Sequence, residues 1–173
     1  MKTFLSLIAI LASLSAAQAQ SFVANLNGAQ DGGGARQGTG HVDLTLSGNN
    51  LTLSGSYSGI SANATAGHIH GPAAPGTSTG VIYDLVGPGI LTINSTSGTY
   101  GGPALVLADK AGYTLAQQLT DLNGGLWYLN IHDATFPGGE IRGQILPVPE
   151  PSAIALIGLG LGTLCYVMCR RTA

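Results

Sequence analysis

In the segment His41-Val42-Asp43-Leu44-Thr45-Leu46 the apolar side chains fall on every second position. That period puts Val42, Leu44 and Leu46 on one face of an extended strand and Asp43 and Thr45 on the other. Gly48-Asn49-Asn50 then supplies a hairpin turn, after which Leu51, Leu53 and Tyr57 repeat the pattern with Gly55 between them. Further strands are expected at 21–26, 81–86, 90–94, 125–132 and 139–146. Charged residues make up only 8% of the chain, and glycine, serine and threonine fill the breaks between runs. Many short strands with frequent turn signals predict a mainly β sandwich or barrel. One short helix interrupts them. Thr114 is its N-cap and Gln117 completes a capping box. Leu115, Leu119 and Leu122 share a face, and Gly124 is the stop.

The ends of the chain are of a different character. Lys2 precedes an apolar run over 4–14, and Ala17-Gln18-Ala19 offers the small residues that a signal peptidase requires. The expected cut falls between Ala19 and Gln20, which makes 1–19 a signal peptide and implies a secretory translocase and signal peptidase as partners. At the other end, an apolar run over 152–169 is long enough to cross a bilayer, at the low edge of the ~17–25 residues a helix needs. Arg170 and Arg171 follow it and would stay cytoplasmic, leaving the preceding domain outside. Val148-Pro149-Glu150-Pro151, the apolar span and the terminal arginine pair together resemble the PEP-CTERM sorting signal of Gram-negative bacteria. That resemblance implies that Pro149, Glu150 and Pro151 are recognised by an exosortase-type membrane protease. It also implies an inner-membrane-anchored precursor destined for the cell surface or a biofilm matrix rich in polysaccharide. The organisation read here is a signal peptide at 1–19, one domain at 20–147 and a sorting tail at 148–173.

Composition excludes several functions for the domain. Arg36, Lys110 and Arg142 stand against Asp31, Asp43, Asp84, Asp109, Asp121, Asp133 and Glu140, a net charge of −4 with no basic cluster. Nucleic acid is therefore not an expected partner. Both cysteines, Cys165 and Cys169, lie in the tail, so no disulfide braces the exported domain. No serine stands in a nucleophile-elbow context, and the carboxylates lack a recognisable paired setting. Asp31-Gly32-Gly33-Gly34 lacks the strand-to-helix context of a phosphate cradle and reads as a long turn.

The histidines carry the remaining chemistry. Gly67-His68-Ile69-His70-Gly71-Pro72 places two imidazoles at i and i+2, on one strand face and roughly 6.6 Å apart at Cα. In the 125–132 strand, Trp127, Leu129 and Ile131 point inward, so Tyr128, Asn130 and His132 point outward. In the last strand Ile141 and Ile145 point inward, and Glu140, Arg142 and Gln144 outward. These segments, with Phe136-Pro137-Gly138-Gly139-Glu140-Ile141-Arg142-Gly143-Gln144-Ile145 and the helix from Thr114, resemble the CHRD (chordin-like) domain. The resemblance implies an immunoglobulin-like or Greek-key β-sandwich and no particular reaction. A more distant similarity is to the order of elements in Cu/Zn superoxide dismutase, on which His68, His70 and His132 would be copper ligands and Arg142 an anion guide. That enzyme's bridging histidine, zinc set and paired cysteines are missing here.

Two readings follow. The first is an exported cell-surface or matrix protein, not an enzyme and without a cofactor. Its domain is an interaction module whose exposed face (Tyr128, Asn130, His132, Arg142) meets extracellular polysaccharide or protein. The alternative is a copper- or zinc-binding protein centred on His68, His70 and His132, since imidazole nitrogens suit both metals. Asp133 and Glu140, close to a turn, read as loop caps or supports for such a site.

Overall fold

A computed structural model of the chain describes residues 19–32 and 34–149. Residues 1–18 of the signal segment, Gly33, Glu150, Pro151, both cysteines and the apolar 152–169 run lie outside the described residues. No helix among the described residues is long and apolar enough to cross a membrane.

The strands are β1 (Gln20–Asn27), β2 (Thr39–Ser47), β3 (Asn50–Ser58), β4 (Ala64–His70), β5 (Val81–Asp84), β6 (Ser97–Tyr100), β7 (Leu105–Val106), β8 (Trp127–Asp133) and β9 (Ile141–Pro147). A short 3-10 helix, Gly28–Asp31, follows β1, and the helix α1, Leu115–Asn123, precedes β8. The protein is thus mainly β with one short α-helix, as expected. The described strands do not, however, divide into two separately hydrogen-bonded sheets. They form one antiparallel sheet in the order β5-β4-β8-β9-β1-β2-β3-β6, with β7 also paired to β3. The stitch is β1, which pairs with β2 on one side and β9 on the other and so joins the early and late parts of the chain. The sheet curls around its inner face, where Phe22, Leu44, Leu53, Ile69, Trp127 and Ile145 enter one continuous apolar core.

The β2–β3 hairpin forms where the alternation placed it, pairing Leu44 with Leu53 and Leu46 with Leu51. Water on its outer side is what makes that alternation clean. The helix also forms as read. The Thr114 hydroxyl accepts from the Gln117 amide at 3.3 Å, and the Gln117 side chain accepts from the Thr114 amide at 2.9 Å. Leu122 on its inner face is buried, while Leu115 and Leu119 pack against the core.

Two expected strands come out differently. The 81–86 run stops at Asp84, because its carboxylate turns back to accept from the Val86 and Gly87 amides at 3.1 and 2.7 Å. The 90–94 run is irregular rather than a strand. The amides of Ile90 and Leu91 both donate to the Leu85 carbonyl, and Leu91 keeps only an isolated bridge to Tyr100. Ile90 and Leu91 are apolar because they fill the core.

β8 and β9 differ from the hairpin in being buried on both faces over most of their length. Their outer face is covered by the segment that follows β1. The Gln30 side chain there accepts from the Gln144 amide at 3.4 Å, Asn130 Nδ2 donates to Asp31 at 3.4 Å, and Arg36 Nε donates to the Gly139 carbonyl at 3.0 Å. Gly139 has φ +129°, and a Cβ there would stand 2.0 Å from the Asp31 carboxylate and 2.5 Å from the Asn130 amide nitrogen. Only glycine lets these two groups meet.

Candidate metal centre

β4 and β8 are neighbours in the sheet, and their register sets Ala66 opposite His132, His68 opposite Asn130 and His70 opposite Tyr128. His68 and His70 share the outer face, with Ile69 between them sunk in the core. His132 reaches the same face from β8, diagonal to His68. Strand pairing thus gathers three imidazoles that the sequence separates. Their ring centroids lie 5.0 Å (His68–His132), 5.6 Å (His68–His70) and 6.2 Å (His70–His132) apart. One nitrogen from each lies within 4.8 Å of the other two.

Backbone carbonyls hold two of the rings. His70 Nδ1 donates to the Thr79 carbonyl at 2.9 Å, and His132 Nδ1 donates to the Pro137 carbonyl at 2.9 Å. A carbonyl only accepts, so each ring carries its proton on Nδ1 and a lone pair on Nε2 when neutral. This is the arrangement by which metal-ligating histidines are usually oriented. His132 Nε2 lies 3.1 Å from His68 Nδ1, and the proton of that hydrogen bond belongs to His68. His70 Nε2 is buried and has no hydrogen-bond partner. Buried polar atoms are nearly always satisfied, and an orphan calls for a ligand, water or ion. A cation in place of the His68 proton would give all three lone pairs a common partner.

The electrostatics favour the neutral form of His68 and His70, and neutral imidazoles are the ones that bind metal. Burial pushes His68 below the ordinary histidine range, His132 adds to the effect, and Asp84 opposes it. His70 is also lowered, chiefly by burial and further by His68, His132 and Arg142, against the hydrogen bond to Thr79. Metal–nitrogen bonds of about 2.0–2.1 Å place ligand nitrogens about 3.3–3.6 Å apart. The His68–His132 pair is already that close, and bringing in His70 takes a side-chain shift of about 1 Å.

Tyr128, Asn130 and Arg142 do lie on the outer face, but that face is closed. They are only 2%, 3% and 2% exposed. The covering segment supplies Asp31, whose carboxyl is pushed up by burial, with Arg36, Arg142, His132 and Asn130 pulling it back. In the sequence this stretch reads as a plain turn. Sequence reasoning also missed the Thr79 and Pro137 carbonyls, since any residue type can supply a carbonyl.

Asp133 and Glu140 act as loop caps. The buried Glu140 carboxyl accepts from the Ser61 amide at 2.8 Å, the Ser61 hydroxyl at 2.6 Å and the Gln37 amide at 3.1 Å. Asp133 accepts from the Ala62 amide at 2.8 Å and the Phe136 amide at 2.6 Å. Burial would raise Asp133, but hydrogen bonds from Glu140 and from backbone amides outweigh it and hold it low. Burial and the hydrogen bond with Asp133 push Glu140 up, against the bonds from Ser61 and Gln37 that pull it back. Through Phe136 the pair fixes the β8–β9 turn that presents the Pro137 carbonyl to His132.

The CHRD domain family matches this chain over residues 22–145, which holds all or most of every strand and all three histidines of the centre. The chain belongs to the CHRD-domain family. Residues 147–171 of this CHRD-domain protein match the PEP-CTERM protein-sorting motif. No curated protein and no solved structure matches it. The sorting motif marks an exported protein associated with the cell envelope and processed by an exosortase-type system through its C-terminal tail. Of the three motif residues Pro149, Glu150 and Pro151, only Pro149 is among those described, where it is exposed just beyond β9. Gln20 is the first residue of β1 and pairs with Leu46.

Proposed function

We propose that this CHRD-domain protein is an exported metal-binding protein that holds one copper or zinc ion through His68, His70 and His132. The observation that carries the reading is the convergence of three imidazoles, two of them oriented by carbonyls, around a buried His70 Nε2 with no partner. An all-imidazole donor set suits copper and zinc, and three protein ligands leave a position for water or a small ligand. The reading is one of binding and assigns no reaction. The burial of Tyr128, Asn130 and Arg142 supports the histidines as the functional feature.

The test uses the full chain, purified in detergent without a metal-affinity tag and with Cys165 and Cys169 changed to serine to remove competing thiols. Copper and zinc content are measured before and after reconstitution. About one ion per chain is expected for a single three-histidine site. Sub-stoichiometric metal, unchanged in His68→Ala or His70→Ala, would remove the proposal.

The path to the envelope belongs to the same reading. The secretory translocase exports the chain, and signal peptidase cuts between Ala19 and Gln20. The 152–169 run then anchors the precursor in the inner membrane until the exosortase-type protease acts at Pro149-Glu150-Pro151. Surface or matrix placement follows, with extracellular polysaccharide or protein as neighbours. Glu150→Ala should block processing and release, and an unaltered processed size would rule out the tripeptide as the recognition element.

A further inference from the structure

We infer that Tyr128, backed by Arg142, is the positioning residue that aims His70 Nε2 at the metal, an inference that rests on the metal-binding reading above. His70 and Tyr128 face each other across β4 and β8, and their rings are stacked with centroids 4.8 Å apart and planes 5° from parallel. Both rings grip the same residue of the β4–β5 connection. His70 Nδ1 donates to the Thr79 carbonyl at 2.9 Å, while the Thr79 amide donates to the Tyr128 hydroxyl at 3.2 Å.

One hydrogen bond through Nδ1 fixes a point on the His70 ring but leaves its plane free to turn about that point. The buried Nε2 has no partner to stop it. A flat surface laid parallel to the imidazole removes that freedom, and Tyr128 is that surface. Tyr128 is itself held from its other neighbouring strand. The Arg142 guanidinium, on β9, lies 3.4 Å from the Tyr128 ring centroid. Arg142 is only 2% exposed, and its Nη2 donates to Gln144 at 3.5 Å. Gln144 is anchored in turn, donating to the Ala73 and Gly125 carbonyls at 2.9 and 2.6 Å. A cation over an aromatic face is attractive and stronger when desolvated. Three adjacent strands therefore contribute one layer each, in the order imidazole, phenol and guanidinium. The side chains that the sequence offered as an outward ligand face form the support of the metal ligand.

The experiment compares Tyr128→Phe and Tyr128→Leu in the full chain with both tail cysteines changed to serine, using copper(II) alone as the probe. Affinity is read by chelator competition and ligand geometry by the copper hyperfine splitting in electron paramagnetic resonance. Tyr128→Phe keeps the stacked ring, so affinity within about threefold of the parent and the parent spectrum are expected. Tyr128→Leu removes the ring, so a loss of about 10-fold or more, typical of groups that orient a ligand, and an altered spectrum are expected. Should the leucine variant fail to fold by circular dichroism, Tyr128→Met fills the space without a ring and gives the same readout. A folded leucine or methionine variant with the parent's affinity and spectrum overturns this inference alone. A parent protein that binds no copper overturns the metal-binding reading and this inference together.

Discussion

The two sides of the sheet, either side of β1, obey different rules. In the β2–β3 hairpin every inward residue is apolar and nearly every outward one is in water, so each strand is half buried. In β8 and β9 both faces are buried, and the outer one is polar: Asn130 and Gln144 meet the segment that follows β1, while Tyr128 lies between His70 and Arg142 beside the β4–β5 connection. A polar face can be buried only if its groups find partners, because an unsatisfied one costs about 1–3 kcal/mol. The hairpin is therefore held mainly by its core and its strand pairing. The β8–β9 side carries a connected polar layer in which Asn130 Oδ1 is left without a hydrogen-bond partner, and the histidines sit at its margin with β4.

The comparison predicts its own breaking points. The largest effect should come from Glu140→Ala, which strips the Ser61 and Gln37 amides of their acceptor in a buried place. A loss of about 3 kcal/mol or more in chemical denaturation is expected. A loss under about 1 kcal/mol would show that these loops find other partners. Next comes Gln144→Ala, which orphans the Ala73 and Gly125 carbonyls and should cost about 2 kcal/mol.

The sequence disclosed these two regions unequally, and for physical reasons. Alternation in 41–46 was plain because water on one side imposes it, and the capping box at Thr114 was legible because both partners are local. The outward parity of Tyr128, Asn130 and Arg142 was also right, since it follows from the pleat. Their burial was not legible. The cover arrives from Asp31, which lies 99 positions before Asn130, and nothing local announces it. The histidine triad was readable as three residue types on outward positions, but its closeness depends on the β4–β8 register. The β6 and β7 strands were missed because they are short and carry no run of alternation.

A gentler effect should appear with pH in the metal-free chain. The folded state holds His68 and His70 below their ordinary range near 6.5, chiefly by burial. The unfolded chain then binds more protons than the folded one as pH falls below about 6.5. Their contribution is present above that pH and is lost as pH falls through the folded values. Melting temperature should decline on acidification below about pH 6.5, and less steeply in a His68→Gln/His70→Gln variant. Equal slopes would deny that burial of these rings matters. The smallest effect is assigned to the hairpin's wet face. Thr45→Ala should change stability by less than about 0.5 kcal/mol, in contrast to Gln144→Ala on the covered side.

The central claim is that strand pairing brings a histidine from β8 into one metal centre with the pair on β4. Native mass spectrometry of the cysteine-free full chain after one equivalent of copper(II) tests it most directly, with His132→Ala as the variant. One copper retained by the parent chain and none by His132→Ala is the predicted result. Copper retained equally by both would contradict it, because the two β4 histidines would then be acting without their distant partner.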